Sequence, residues 1–507
     1  MWEYFVDAQQ VVQSISMGSR VAEDEANDLA SYFVETENWR KVYHGEVDVI
    51  FAPKGGGKSA IYSMLMSREN EFFDRGVLLA TAENPKGDTA FAEVENEPPT
   101  SEAEFIGLWK IYFLSIIAQA LADYEVNNNS AQKLLGKLEE AGLLPASDAP
   151  RRQLVRRAMD FVKSFFRPPA SIEASMSVDP ASGLPILVPK ITFVEPTVEQ
   201  RNAGSLYVDE LFDLAEKALN EAGYTMWILL DRLDIAFADS PELEANALRG
   251  LFRVYRDLQP RDCMDLKIFL RSDIWEAITR AGFREASHIT RDLRIEWNEN
   301  TLLRLAVQRL LRSDDLRTHY GVDQESVLAD VDQQRAFFYE VFPPQVDQGS
   351  RRPATIDWCL TRTKDGTGQN APRELIHLLT ETRNSQLTRF ETGQAAPEGG
   401  AVFVGQAFKD ALPAVSKARL TQTLYAEHPT LRPYIEMMEG QKARQNSASL
   451  ATVWGLSEAE AAHLAEELVV VGFFEPRLSD YWVPFMYRPA LEMVQGSAEG
   501  VAAADEE

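Results

Sequence analysis

The residues with the clearest chemistry are Ala52-Pro53-Lys54-Gly55-Gly56-Gly57-Lys58-Ser59. Consecutive glycines let the main chain fold so that successive amide N–H groups face one concavity, which is how a backbone grips phosphate oxygens. A short β-branched run, Val47–Phe51, precedes the glycines, and a helical period resumes at Ile61–Met66. A helix opening there adds the positive end of its dipole. The spacing predicts a loop in which Pro53 to Ala60 line a triphosphate. Lys58 then reaches the β- and γ-phosphates, and the Ser59 hydroxyl binds Mg²⁺. The plainer alternative is a flexible turn between strand and helix, and strand-before, helix-after is the context that argues against it.

A magnesium site at such a loop needs an acid opposite. Met226–Leu230 reads as an apolar strand ending in Asp231, followed by Arg232-Leu233-Asp234. Asp231 is the expected metal ligand and Asp234 the residue expected to orient the attacking water. A later strand, Leu266–Leu270, ends in Arg271-Ser272-Asp273 and is expected beside the loop strand, offering Ser272 or Arg271 to the γ-phosphate. The helix between carries Arg249, Arg253 and Arg256, with Arg261 after it. One of these, with Arg256 the candidate, would reach the nucleotide of a neighbouring copy and steady the charge of the transferring phosphoryl group. Pro372 and Arg373 open a further helix, which would aim Arg373 back at the phosphates.

The elements that must position these side chains alternate. Strand patterns at 47–51, 77–80, 226–230, 266–270 and 289–297 are separated by helical ones at 61–66, 241–258 and 273–281. That alternation predicts an α/β layer with a mostly parallel sheet. Ala22–Val34 reads as a helix with an acidic start, and residues 98–168 are helical in character. Extended runs through Ile172, Ala174, Met176 and Val178, then Ile186, Val188, Ile191 and Phe193, flank Asp179–Gly183 and predict a β-hairpin. The expected organisation is a helical lead-in at 1–46 and a core at 47–298 with an insertion at about 98–205. A helical lid at 299–395, a linker in Glu391–Gly400, a domain at 401–495 and a disordered acidic tail at 496–507 complete it.

Composition narrows the classes. There are 51 basic against 78 acidic residues, a net charge of −27, which disfavours broad wrapping of nucleic acid. Two cysteines and six scattered histidines give neither a disulfide framework nor metal-ligand spacing, as suits a reducing cytoplasm. The N-terminus lacks the basic-then-apolar pattern of a signal peptide. Phe105–Tyr124 is the one membrane candidate, but Lys110 near its middle favours a buried core helix, so no membrane contact is expected.

Together these motifs resemble the AAA+/STAND superclass of P-loop ATPases (the ASCE branch), near the origin-recognition-complex ATPases. Ala52–Ser59 matches Walker A and Leu229–Asp234 a Walker B of Asp-x-x-Asp type. Leu270–Asp273 and Pro372-Arg373 fall in the sensor 1 and sensor 2 regions. Tyr32–Thr36 resembles a bacterial ATPase family often met near phage-defence and mobile-element genes. The resemblance implies ATP with Mg²⁺, ATP hydrolysis, homo-oligomers, and an effector or sensor protein supplied in trans. Arg232 departs from it, standing where many AAA+ proteins carry the catalytic glutamate, so hydrolysis is expected to be slow with Asp234 as the substitute.

Residues 406–495 resemble a winged helix, with helices at Leu431–Glu439 and Leu450–Trp454. A third is opened by the capping box Ser457–Glu460, and a wing spans Phe473–Phe485. A DNA-reading third helix needs basic or amide side chains. This one carries Glu458, Glu460, Glu466 and Glu467 and is expected to contact protein instead. Nucleic acid or an acidic partner fits better at Arg151–Arg167, where six bases meet one acid, although a solvated helix face explains that pattern as simply. The leading expectation is a nucleotide-dependent oligomerising switch or scaffold in anti-phage defence. The alternatives are a DNA-associated loader or remodeller, and a scaffold with purely structural nucleotide.

Overall fold

The computed structural model describes residues 7–498 apart from 20–28, 84–90, 92–97, 145–149, 168–175, 179–184, 188–190, 203–204, 234–239, 281, 396 and 398. Two compact units emerge: Glu35–Pro53 with Lys58–Ile295, and Met1–Val34 with Lys54–Gly57 and Glu296–Glu507.

The first unit is built on a parallel sheet. β1 (Val49–Ala52) is buried at every residue, as a strand covered on both faces must be. β2 (Val77–Thr81) follows. Helices Glu102–Asp123, Asn129–Glu140 and Arg151–Phe166 come next. β3 (Met176–Val178) then pairs antiparallel with β4 (Pro185–Leu187), and β5 (Ile191–Thr192) pairs parallel with β6 (Leu206–Tyr207). β7 (Thr225–Leu230), β8 (Met264–Arg271) and β9 (Asp292–Arg294) complete the main sheet. Its order is β2-β7-β8-β1-β9 with every neighbour parallel. All five strands therefore end on one rim, with the glycine-rich loop leaving β1 there and β8 beside it. This is the expected P-loop NTPase type of α/β fold.

Three local expectations change. The hairpin exists as β3 and β4, but Ile191 leaves it for a parallel partner, a tertiary pairing that local periodicity does not encode. Ile172, Ala174, Val188 and the turn 179–183 lie outside the described residues. The strand expected over 289–297 is only Asp292–Arg294, largely exposed as a sheet edge. Of the helix expected over Ala22–Val34, residues 22–28 are outside the described set, and Leu29–Ser31 forms a single 3-10 turn. Tyr32 is instead buried under the Arg309 guanidinium, 4.2 Å from its ring centroid, so tertiary contact overrides helical continuation.

Glu102–Asp123 starts on a Ser101 cap and is, among the described residues, long and apolar enough to cross a membrane; 83% of that stretch is buried within the fold. Lys110 reaches Asp209 at 2.9 Å and Asp257 at 3.0 Å. Burial works against its charge, but the two carboxylates outweigh it and hold the ammonium above its ordinary pKa.

In the second unit, Ala8–Ser14, Glu299–Leu310, Val331–Val341, Thr355–Thr363, Pro372–Glu391 and Gly405–Arg419 share one core. The stretch Glu391–Gly400 thus joins two helices of the same core, with Val402, Phe408 and Val415 inside it, and the next core begins at Leu420. That core holds helix Arg432–Glu436, β10 (Lys442–Gln445), helices Ser447–Trp454 and Glu458–Val470, and the hairpin β11 (Glu475–Arg477) and β12 (Asp480–Trp482). β13 (Val494–Ser497) pairs with β10, so Gly496 and Ser497, expected in a disordered tail, are paired strand instead; residues 499–507 lie outside the described set. Ser457 and Glu460 form the anticipated capping box.

Candidate phosphate-binding site

The loop's shape follows from its glycines. Gly55 and Gly57 have φ of 75° and 101°, where a side chain is strained, and a Cβ added at Gly55 would sit 2.9 Å from Arg373 Cβ. Trp297 Nε1 donates to Gly56 O at 2.8 Å, pinning the loop's middle, and Lys54 forms an ion pair with Glu427. Glycine is therefore demanded at Gly55 twice, by conformation and by the arginine against it.

Lys58 and Ser59 open helix Lys58–Ser67. Lys58 Nζ lies 3.1 Å from Ala52 O and 3.4 Å from Pro53 O, folded over the loop's own carbonyls. Ser59 Oγ donates to Asp231 Oδ2 at 3.0 Å, across 172 residues of sequence. Asp231 follows β7 and is 5% exposed. A hydroxyl and a carboxylate oxygen are hard donors of the kind Mg²⁺ takes alongside phosphate and water, so this pair fits such an ion.

The remaining candidates are placed as follows. Ser272 is partly buried at the start of helix Ser272–Arg280, next after β8, whose Arg271 stands opposite Ala52 in register. Arg271 is bonded to Asp273 at 2.6 and 3.0 Å. On helix Pro241–Leu258, Arg253 pairs with Glu102 and Glu285, and Arg261 beyond it pairs with Asp213 and Glu216. Those two serve the fold, whereas Arg256 is exposed. Arg373 lies in the first turn of Pro372–Glu391. Asp234 lies outside the described residues. Reading by motif missed Trp297 and Glu427, which meet the loop only through the fold.

On helix Arg151–Phe166, Arg152 and Arg156 are exposed, but Arg151 bonds Gln119, Arg157 bonds Gly142 O and Arg167 pairs with Glu104, so part of the basic run is structural. Glu458, Glu460, Glu466 and Glu467 are all exposed on their helix.

No family model matches the chain, and no curated protein matches it in sequence. Solved structures are similar at low identity over nearly its whole length. A Walker-type ATPase of Pyrococcus abyssi is 12% identical over 91% of this chain and 96% of its own, with a TM-score of 0.39. The ORC1 protein of Aeropyrum pernix in complex with DNA is 12% identical over 94% and 97%, with a TM-score of 0.37. The ORC2 protein of that organism, in ADPNP and ADP complexes, is 11% identical over 96% and 99%, with a TM-score of 0.30. The fold assignment stands on strand order and loop, independently of these likenesses.

Proposed function

We propose that the chain is a Mg-ATP-binding, slowly hydrolysing P-loop ATPase that works as a nucleotide-dependent switch. One observation carries the reading: the hydroxyl that follows the loop lysine and the carboxylate that ends β7 meet at 3.0 Å on the rim where the loop leaves β1. In this reading the loop amides hold the β- and γ-phosphates and Lys58 swings from its own carbonyls to them. Ser59 and Asp231 hold Mg²⁺, which when bound offsets phosphate charge. Arg373 packs against Gly55 and Glu427 pairs with Lys54, so an occupied loop would act on these two side chains. The element order helix, strand, two helices and hairpin supports a winged-helix reading of 432–482. Its acidic third helix suits a protein partner or a second copy of this chain. The phage-defence setting rests on the sequence resemblance alone.

Calorimetry with Mg-ATP tests the core of this reading. Binding should be measurable in the wild type and weakened at least about tenfold by Lys58→Ala or Asp231→Asn, given the worth of charge-assisted contacts. No heat with any nucleoside triphosphate refutes it. A DNA-associated ATPase is the second reading, favoured by the exposed Arg152 and Arg156.

A further inference from the structure

Five lysines and arginines are buried among the described residues: Lys110, Lys267, Arg309, Arg444 and Arg488. Lys110 is held by Asp209 and Asp257, Lys267 by Asp48, and Arg444 by Asp480. Arg309 lies on the Tyr32 ring and donates to Met17 O. Arg488, 8% exposed, donates from Nε to Val483 O at 2.7 Å and from Nη1 to Gln495 Oε1 at 2.6 Å. It pairs with no carboxylate among the described residues, and a buried cation without a counter-charge is costly.

A second guanidinium shares its surroundings. Arg488 Cζ lies 4.0 Å from the centroid of the Phe485 ring, and Arg362 Cζ lies 4.5 Å from the same centroid. The two carbons are therefore at most about 8.5 Å apart, a gap that one phosphate can close with N–H···O bonds of about 2.8 Å on either side. Arg362, in helix Thr355–Thr363, also lies over the Trp358 ring and bonds Thr361 Oγ1 at 3.1 Å. The acids nearby are committed elsewhere. Asp347 takes Lys409 at 2.6 Å and the Trp358 indole at 3.1 Å, and Glu475 takes Arg477 at 3.1 and 3.2 Å. Burial holds Arg362 below the ordinary arginine range against the pull of Asp347. Arg488 is pushed down to about 10, by burial and then by the charges of Arg362 and Arg477. In a chain of net charge −27, this is a spot short of negative charge. Phe485, 38% exposed, opens it to solvent.

We propose that Arg362 and Arg488 form a binding site for a phosphomonoester dianion, made of residues distinct from the glycine loop. Planar guanidinium forks match phosphate oxygens in geometry, and a charge near −2 balances two cations that no carboxylate neutralises. A phosphodiester strand, in contrast, carries one charge per phosphate and is gripped by a run of bases along its length. With two guanidiniums already on the Phe485 ring, a nucleobase finds no open platform there.

The test is equilibrium dialysis of the full chain with inorganic phosphate and, separately, with phosphoserine. Both are read in a Lys58→Ala background, so that the difference made by Arg362→Gln belongs to this site. Binding should saturate at millimolar concentration or below and weaken at least about tenfold in Arg362→Gln, the worth of a charge-assisted fork. Tighter binding of phosphoserine identifies an ester as the natural form, and tighter binding of inorganic phosphate identifies the free ion; either supports the site. No saturable binding of either anion overturns it, as does equal affinity in Arg362→Gln. Duplex DNA that binds through Arg362 while neither small anion does overturns it in favour of a phosphodiester strand. If Arg362→Gln fails to fold, Arg362→Lys keeps the charge and loses the fork. It should weaken binding at least about threefold, and unchanged affinity there overturns the proposal equally.

Discussion

Glu427→Gln should make the protein bind Mg-ATP more tightly. The carboxylate holds Lys54, a loop lysine that would otherwise face phosphate, so it competes with the nucleotide for one ammonium. The two side chains are 30% and 20% exposed, so solvent screens the pair in part. An exposed pair contributes at most about 1 kcal/mol, and half-burial keeps this one near that upper end. Removing a competitor of that strength tightens Kd about fivefold. Titration calorimetry at low salt reads the change, and the gap between the two proteins should narrow towards about 1 M salt, where the screening length is about 3 Å. In a Lys54→Met background the same substitution should do nothing, because a coupling energy needs both partners. Equal or weaker binding by Glu427→Gln at low salt refutes the competition. It would mean that Glu427 shapes the loop for nucleotide instead of withholding it.

Two further outcomes can be checked. Glu104 has its pKa held below the ordinary glutamate range: burial pushes it up, but bonds from Arg167 and Thr100 outweigh that. Its contribution is therefore present above about pH 4.3 and lost as pH falls through the depressed value. Arg167→Gln should move the acid limb of stability, followed by urea melts, to higher pH; an unmoved limb shows that the pair adds nothing. Charge reversal of Arg152 and Arg156 together should weaken duplex DNA binding by the full chain several-fold in fluorescence anisotropy if the basic helix is a docking face. Unchanged binding leaves that face merely solvated.

Much of the fold was legible because its strands are buried on both faces and so appear as uninterrupted apolar runs. Thr225–Leu230 and Met264–Arg271 lie within two residues of their expected limits at each end. The edge strand Asp292–Arg294 was overestimated, since its backbone bonds to β1 run only from Arg291 O to Ile295 N and the apolar residues Ile289 and Trp297 lie beyond them. Glu391–Gly400 has the composition of an interdomain linker, and a loop between two helices of one core draws on the same residue types. At the site, the loop and Asp231 announced themselves by local pattern. Trp297 and Glu427 did not, because what sets them against Gly56 and Lys54 is a relation between segments 241 and 373 positions apart. Arg253, Arg256 and Arg261 look alike in sequence, and only the acids delivered by other helices separate two braces from one exposed side chain.

The strand order also has a cost in time. β1 lies between β8 and β9, and Val49 finds its partners at Ile268 and Asp292. A ribosome adding about 5–20 residues per second needs on the order of 10–50 s to deliver them. For that interval the nascent apolar segment that will carry the glycine loop has no sheet to join. Chaperone dependence and aggregation during synthesis should therefore concentrate on this short stretch near the start of the chain, well before any nucleotide is met.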